Sequence, residues 1–296
     1  MGISACILSH RGLIKVSGGD RLAFLQGLLT NDVSKISPET AIYTLLLSPQ
    51  GRIHYDMMIY QQGDDWYIEA DADRLPDLVK RLSIFKLRSD VALDIVLDKT
   101  ILSLWGDDVA TNLGLPQDLG ACLSTSLWTC FNDPRLFDMG ARVVVSSQSC
   151  DHLRDCLGFN LVEVDVYNEH RYSLGVPESA AELEFDRAIP LEYGMDGLGA
   201  IDWNKGCYMG QELTARTKYR GLVRKRIFPV RWDGFDRDQP LISQDKDVGY
   251  WIADAGLWAL AMVRLEALNQ EIKCGHKSVQ VERPTWMTIA ETDDES

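Results

Sequence analysis

The chain has 296 residues, of which 46% are hydrophobic and 25% charged, and a formal net charge of −14. This balance excludes a disordered chain and allows a core shared by two or three packed subdomains. The negative charge argues against nucleic acid or an anionic membrane as a partner, so any bound anion must meet a local basic patch.

In chain order, residues 14–16 read as a short strand. Asp20 is a candidate N-cap for a helix whose stripe is Leu22, Leu25, Leu28 and Leu29, ended by Asn31-Asp32. Residues 41–47 and 53–60 form two strands around the turn Ser48-Pro49-Gln50-Gly51, and 66–70 a third. Asp73 opens a second helix that buries Leu75, Leu78, Val79, Leu82 and Phe85, and 91–97 is a strand. A weaker strand–helix–strand pattern follows at 101–104, 107–113 and 141–146. Ser149 then starts a helix to Cys156, with Gly158 at its end. Two similar α+β halves are expected. From Lys225 onward, short β-rich runs at 227–232, 248–251, 258–265 and 279–281 predict a small antiparallel barrel. The expected divisions are 1–97, 98–222 and 223–290, with an acidic tail at 291–296.

The seven cysteines are scattered, with no C-x-x-C pair, so neither a zinc ribbon nor a disulfide framework is indicated. The N-terminal residues have neither the pattern of a signal peptide nor that of a transit peptide, and no apolar run reaches transmembrane length. The expectation from this is a cytoplasmic protein with reduced thiols.

Chemistry concentrates in residues 203–221, WNKGCYMGQELTARTKYRG. Cys207 lies between Gly206 and Gly210 and two residues after Lys205. Residues 210–219 can form a helix with Glu212 and Arg216 as an i,i+4 pair. A thiol just before a helix start and beside a lysine favours the thiolate. Its neighbours are polar, charged or glycine, whereas the other six cysteines read as packing residues. A basic cluster follows, Arg216, Lys218, Arg220, Arg224, Lys225 and Arg226, suited either to an anion or to a solvated surface. Glu192, in the run Ile189-Pro190-Leu191-Glu192-Tyr193-Gly194, could pair with an N–C–N edge such as that of a pterin, or simply be solvated.

KGCYMGQE, followed by AR and YRG, closely resembles the signature of YgfZ-type folate-binding proteins, which are similar to the aminomethyltransferase (T-protein) of the glycine cleavage system. SGGDRLAFLQGLLTNDV, LLSPQGRIHYDMMIY, RYSLGVPE and IPLEYG follow in the family's order. The resemblance implies an α+β, aminomethyltransferase-like fold: two α+β subdomains and a C-terminal antiparallel β-barrel around a central hole that holds tetrahydrofolate. It implies a part in maturation or repair of [4Fe–4S] proteins, including radical enzymes that modify tRNA. A-type iron–sulfur carrier proteins and the client enzymes would be the partners, and eukaryotic relatives are mitochondrial.

The family's key cysteine matches Cys207, expected as a reactive thiolate or as one ligand of a shared [2Fe–2S] cluster. Glu192, Arg171, Lys205, Tyr208, Gln211, Arg216 and Arg220 are the expected cofactor-binding residues. Aminomethyltransferases carry Asp-Asp where this chain has Tyr55-Asp56, and Asp-Phe where it has Cys207-Tyr208. Asp56 is therefore the candidate acid–base residue of the alternative, folate-dependent aminomethyl transfer.

Overall fold

The computed structural model describes residues 2–125, 127–221 and 223–289. The expected acidic tail at 291–296 lies outside the described residues.

The chain begins with β1 (Ser4–Ile7), β2 (Arg11–Ser17) and α1 (Arg21–Gln26), then β3 (Ile42–Leu47), β4 (Ile53–Gln62) and β5 (Asp65–Asp71). Helix α2 (Leu75–Lys86) and β6 (Ala92–Val96) complete a five-stranded sheet of order β3-β4-β5-β2-β6. Next come β7 (Lys99–Trp105), α3 (Val109–Asn112), β8 (Cys122–Ser124), β9 (Trp128–Asn132), β10 (Ala141–Ser146), α4 (Cys150–Leu157) and β11 (Asn160–Leu161). These strands form a second sheet of order β11-β1-β7-β10-β9-β8. Helices α5 (Val164–Ser173), α6 (Ser179–Glu182) and α7 (Gln211–Tyr219) lead to β12 (Lys225–Arg231), β13 (Leu241–Ser243), β14 (Lys246–Ala255), β15 (Trp258–Arg264), β16 (Ile272–Cys274) and β17 (Lys277–Val279). The last six pair antiparallel in the order β12-β15-β14-β13-β16-β17, and a bridge from Val230 to Val281 brings the segment after β17 back to β12, curling the sheet into a barrel.

The expected α+β pair of sheets with a C-terminal barrel is present, but the division at 97/98 is not clean. Strand β1 pairs with β7, Ser4 opposite Trp105 through Ile7 opposite Leu102, so the chain starts in the second sheet before it builds the first. The first helix is shorter than expected. It ends at Gln26, and Leu22 faces solvent. The side chain of Asp20 accepts from the backbone N–H of Asp90 instead of capping the helix.

The continuous apolar run of β3 is explained by burial on both faces. Ile42 and Leu46 pack with α2 residues Leu75, Leu78 and Leu82, whereas Tyr43, Leu45 and Leu47 point into the core shared by the whole molecule. Strand β10 behaves likewise: Val143 and Val145 belong to an outer cluster with Val109 and Leu153, and Val144 faces the shared core.

The inner faces of the two sheets also bury charge. Arg11 of β2 donates from Nη1 to both carboxylate oxygens of Asp56 at 3.2 Å, and from Nε to Glu69 at 3.2 Å. Arg142 of β10 donates to Glu69, to Tyr167 and, at 2.7 Å, to Glu178. Arg135 bridges Asp133 and Glu178. Burial would raise the carboxyl of Glu178, but Arg135 and Arg142 hold it well below its usual range. Fully buried ions are tolerated only when so paired.

Candidate functional site

The segment around Cys207 is held by its backbone and by one lysine. The N–H of Asp202 donates to Thr30 O at 3.0 Å, and that of Met209 to Gly27 O at 3.2 Å. The ammonium of Lys205, nearly buried, donates to Gln26 O, Leu29 O and Asn31 O at 2.9, 2.6 and 2.7 Å. Gln26 O is at the C-terminal end of α1, where carbonyls lack helical partners, and Leu29 O and Asn31 O are in the turn that follows; three carbonyls match the three N–H of an ammonium. Burial pulls the Lys205 ammonium down to about 8, with Asp32 and Asp202 pulling back, so it remains charged at neutral pH.

Two glycines interlock the site with the turn after β3. Gly210 has φ +81°, and a Cβ there would come within 2.6 Å of Ser48 O and 3.0 Å of Gly51 Cα. Gly51, at φ +69°, faces Gly210 O. The turn and the GQE run, far apart in sequence, therefore need glycine for the same close approach. Tyr208 is buried, which pushes its hydroxyl up to about 12. Gly206 and Cys207 are left exposed between these anchors.

Helix α7 is the expected one, with Glu212 and Arg216 3.7 Å apart and a left-handed glycine, Gly221, beyond its end. Lys218 lies 3.7 Å from the ring centre of Trp203, and Tyr219 meets the same ring edge-on. Beyond α7 opens a cavity of about 730 Å³ between helix and barrel, lined by Asp196, Trp203, Lys218, Val223, Arg226 and Leu265, among others. Arg226 is bidentate to Asp196 at 2.9 and 3.1 Å.

The expected residues divide into three groups. Cys207, Tyr208, Gln211, Arg216 and Arg220 share the loop, α7 and its C-cap. Lys205 belongs to the same loop, but all three of its donors are engaged by carbonyls, so it is not the counter-ion of Cys207. The helix, too, starts four residues beyond the thiol. Glu192 is half-buried with Lys225 3.7 Å away; burial raises its carboxyl, against the pull of Lys225 and Arg52.

Arg171 and Asp56 are elsewhere. Arg171 is buried in α5 and bonded to both oxygens of Glu182, to Asn168 and to Val176 O. Asp56 is clamped by Arg11 and by the N–H of Ser179, and the space beside it is about 10 Å³, room for a water molecule at most. A pterin does not fit at Asp56. Sequence reasoning missed Trp203 as the platform for Lys218, as well as Arg11, Arg135, Arg142 and Glu178. An arginine directly before the valine run of β10 was the available signal for one of the buried charges, Arg142.

Comparison with known proteins agrees with this architecture. Residues 4–106 match the GCVT N-terminal domain, and 224–289 the CAF17 C-terminal beta-barrel domain. The structure of glycine cleavage system aminomethyltransferase T from Bartonella henselae superposes with a TM-score of 0.75, covering 97% of this chain and 86% of that one. At 13% identity, this likeness is one of fold. The fold is thus aminomethyltransferase-like with a CAF17-type barrel.

Among sequence relatives, the mitochondrial iron–sulfur cluster assembly factor IBA57 homologue of Neurospora crassa is 37% identical over 75% of this chain and 52% of its own length. That of Pyricularia oryzae is 32% identical over 93% of this chain and 75% of its own. That of Mycosarcoma maydis is 35% identical over 81% and 60%. The chain belongs to the IBA57 family of iron–sulfur cluster assembly factors. It spans between about half and three-quarters of the length of these relatives. They are IBA57 homologues, not YgfZ proteins, and their names place them in mitochondria, not in the cytoplasm expected from the sequence.

Proposed function

We propose that this protein assists the maturation of [4Fe–4S] proteins, with the Cys207 thiolate as one ligand of a [2Fe–2S] cluster shared with an A-type carrier protein. The observation that carries this reading is the exposed Cys207, held out on a loop anchored at Lys205, Met209 and Gly210. Iron–sulfur clusters take several soft thiolates, and one cysteine cannot hold a cluster alone. Among the described residues no three His, Cys, Asp or Glu side chains converge on a metal-sized site, so the remaining ligands come from the partner. The relatives named above are assembly factors of mitochondria, and the mitochondrial matrix is the proposed compartment. Client enzymes that modify tRNA belong to the same proposal.

Tetrahydrofolate enters this reading as a ligand of the cavity beside α7. Its volume of about 730 Å³ suits a ligand of that size, Trp203 offers a stacking face, and Lys218 in the lining offers charge to its carboxylates. A reduced pterin bound there would supply electrons or one-carbon units. The alternative, aminomethyl transfer, requires an acid–base group at the folate nitrogen. Asp56, fixed by Arg11 in a space of about 10 Å³, is not positioned to be that group.

The test is Cys207→Ser expressed in cells lacking the endogenous protein. The variant should accumulate normally and fail to restore [4Fe–4S] enzyme activities. Full restoration overturns the thiolate role. Titration of the full chain with tetrahydrofolate, followed by tryptophan fluorescence, should give a saturable change that Trp203→Ala removes.

A further inference from the structure

The loop that carries Cys207 joins two surface features that the fold itself does not require. On one side is a groove of about 370 Å³ lined by Ala23, Phe24, Gly27, Leu28 and Phe85. Through Asp20 and Ser89 it runs into a shallower depression of about 650 Å³ beside Leu87. Leu87 is 89% exposed, Ile84 64% and Phe85 44%. Leu87 also has φ +46°, a backbone region that a leucine occupies only against strain. A cluster of exposed apolar side chains over an open groove is a mark of an interaction surface.

On the other side is the basic end of α7. Six of the chain's 30 lysines and arginines fall within residues 216–226. Arg220 and Arg224 are exposed, and among the described residues neither meets an acidic side chain. In a protein of net charge −14 this is a local reversal of field, and it selects an anionic occupant. The two features are mechanically continuous. Gly27, in the groove wall, accepts the N–H of Met209, and Lys205 holds the end of α1. Trp203, at the start of the same loop, lies under Lys218. Cys207 is exposed on the stretch of loop between the Lys205 and Met209 contacts.

We infer that the α1–α2 groove and the basic end of α7 form one docking face for an acidic, thiolate-bearing carrier protein. Apolar side chains of the carrier enter the groove beside Phe85 and Leu87, and its carboxylates meet Arg220 and Arg224. The inference rests on the Cys207 reading and adds the surface that recognises the partner before any cluster is shared. An apolar anchor with a charged flank is the usual division of labour in such an interface: the anchor sets the lifetime of the complex, the charges its association rate.

The experiment uses the full chain and a purified A-type carrier protein without cluster, with binding followed by surface plasmon resonance at low and physiological salt. Phe85→Ser with Leu87→Ser should weaken binding about tenfold or more, mainly through faster dissociation. Arg220→Glu with Arg224→Glu should slow association and flatten its salt dependence. Leu257→Ser, at a leucine 63% exposed on the barrel, should bind as wild type. Wild-type binding by both double variants overturns the docking face, as does a salt-stable dimer of this chain that Leu87→Ser dissolves. Cys207→Ser separates the two readings. It should bind the cluster-free carrier normally and yet hold no shared cluster; if it still holds one, the thiolate role falls while the docking face stands.

Discussion

Replacing Lys205 by methionine tests the anchoring of the Cys207 loop. The change keeps the length of the apolar stem and removes the ammonium, leaving Gln26 O, Leu29 O and Asn31 O without the donor that now satisfies all three. A hydrogen bond to a charged group contributes about 1.5–3 kcal/mol, and a buried acceptor left unpaired costs about 1–3 kcal/mol. Against this stands the desolvation of the ammonium, which methionine avoids and which amounts to several kcal/mol. Water can also reach part of the vacated end of α1. The net expectation is a loss of about 2–4 kcal/mol. Urea denaturation followed by far-UV circular dichroism measures it, with the slope unchanged. A second readout is local: the reaction of Cys207 with a maleimide should change rate, because the loop has lost one of its anchors. A loss under about 0.5 kcal/mol together with an unchanged thiol rate would refute the view that Lys205 organises this loop.

Acid stability should follow Glu178. Its folded carboxyl is depressed below the ordinary 4.5, so its contribution is fully present above that value and is lost as pH falls through the lower folded one. The Glu178-dependent part of stability, read as the difference in urea midpoint between wild type and Glu178→Gln, should stay constant from pH 7 to 5 and shrink below pH 4.5; Glu178→Gln should cost about 3–5 kcal/mol at pH 7. Gly210→Ala should destabilise by about 1–3 kcal/mol, since its Cβ would lie 2.6 Å from Ser48 O at φ +81°; a neutral result by thermal melting would contradict the interlock with Gly51. Cys207→Ser should leave stability within about 0.5 kcal/mol, because the side chain is exposed.

Residues whose meaning is local could be read from the sequence. The turn at Ser48–Gly51, the helix after Gly210 and the barrel texture after Lys225 depend on chemistry within a few residues, and they appear where the pattern puts them. Cys207 could be singled out for the same reason, since its neighbours are too polar and too small to form a core. Long-range charge pairing could not be read. Arg171 looked like a ligand-facing cation and is bound to Glu182, eleven residues on. Asp56 looked like an acid–base group and is neutralised by Arg11, brought beside it by the pairing of β2 and β4 with β5.

The sequence by itself determined the elements, the family signature and the reactive-cysteine candidate Cys207, because periodicity, turn chemistry and a contiguous motif are written within short stretches of chain. Only the tertiary structure decided which charges are free. Lys205 and Lys218 are both lysines of the same motif, yet one closes the end of α1 and the other lies over Trp203 at a cavity, because the strength and direction of a charge depend on what folding places around it.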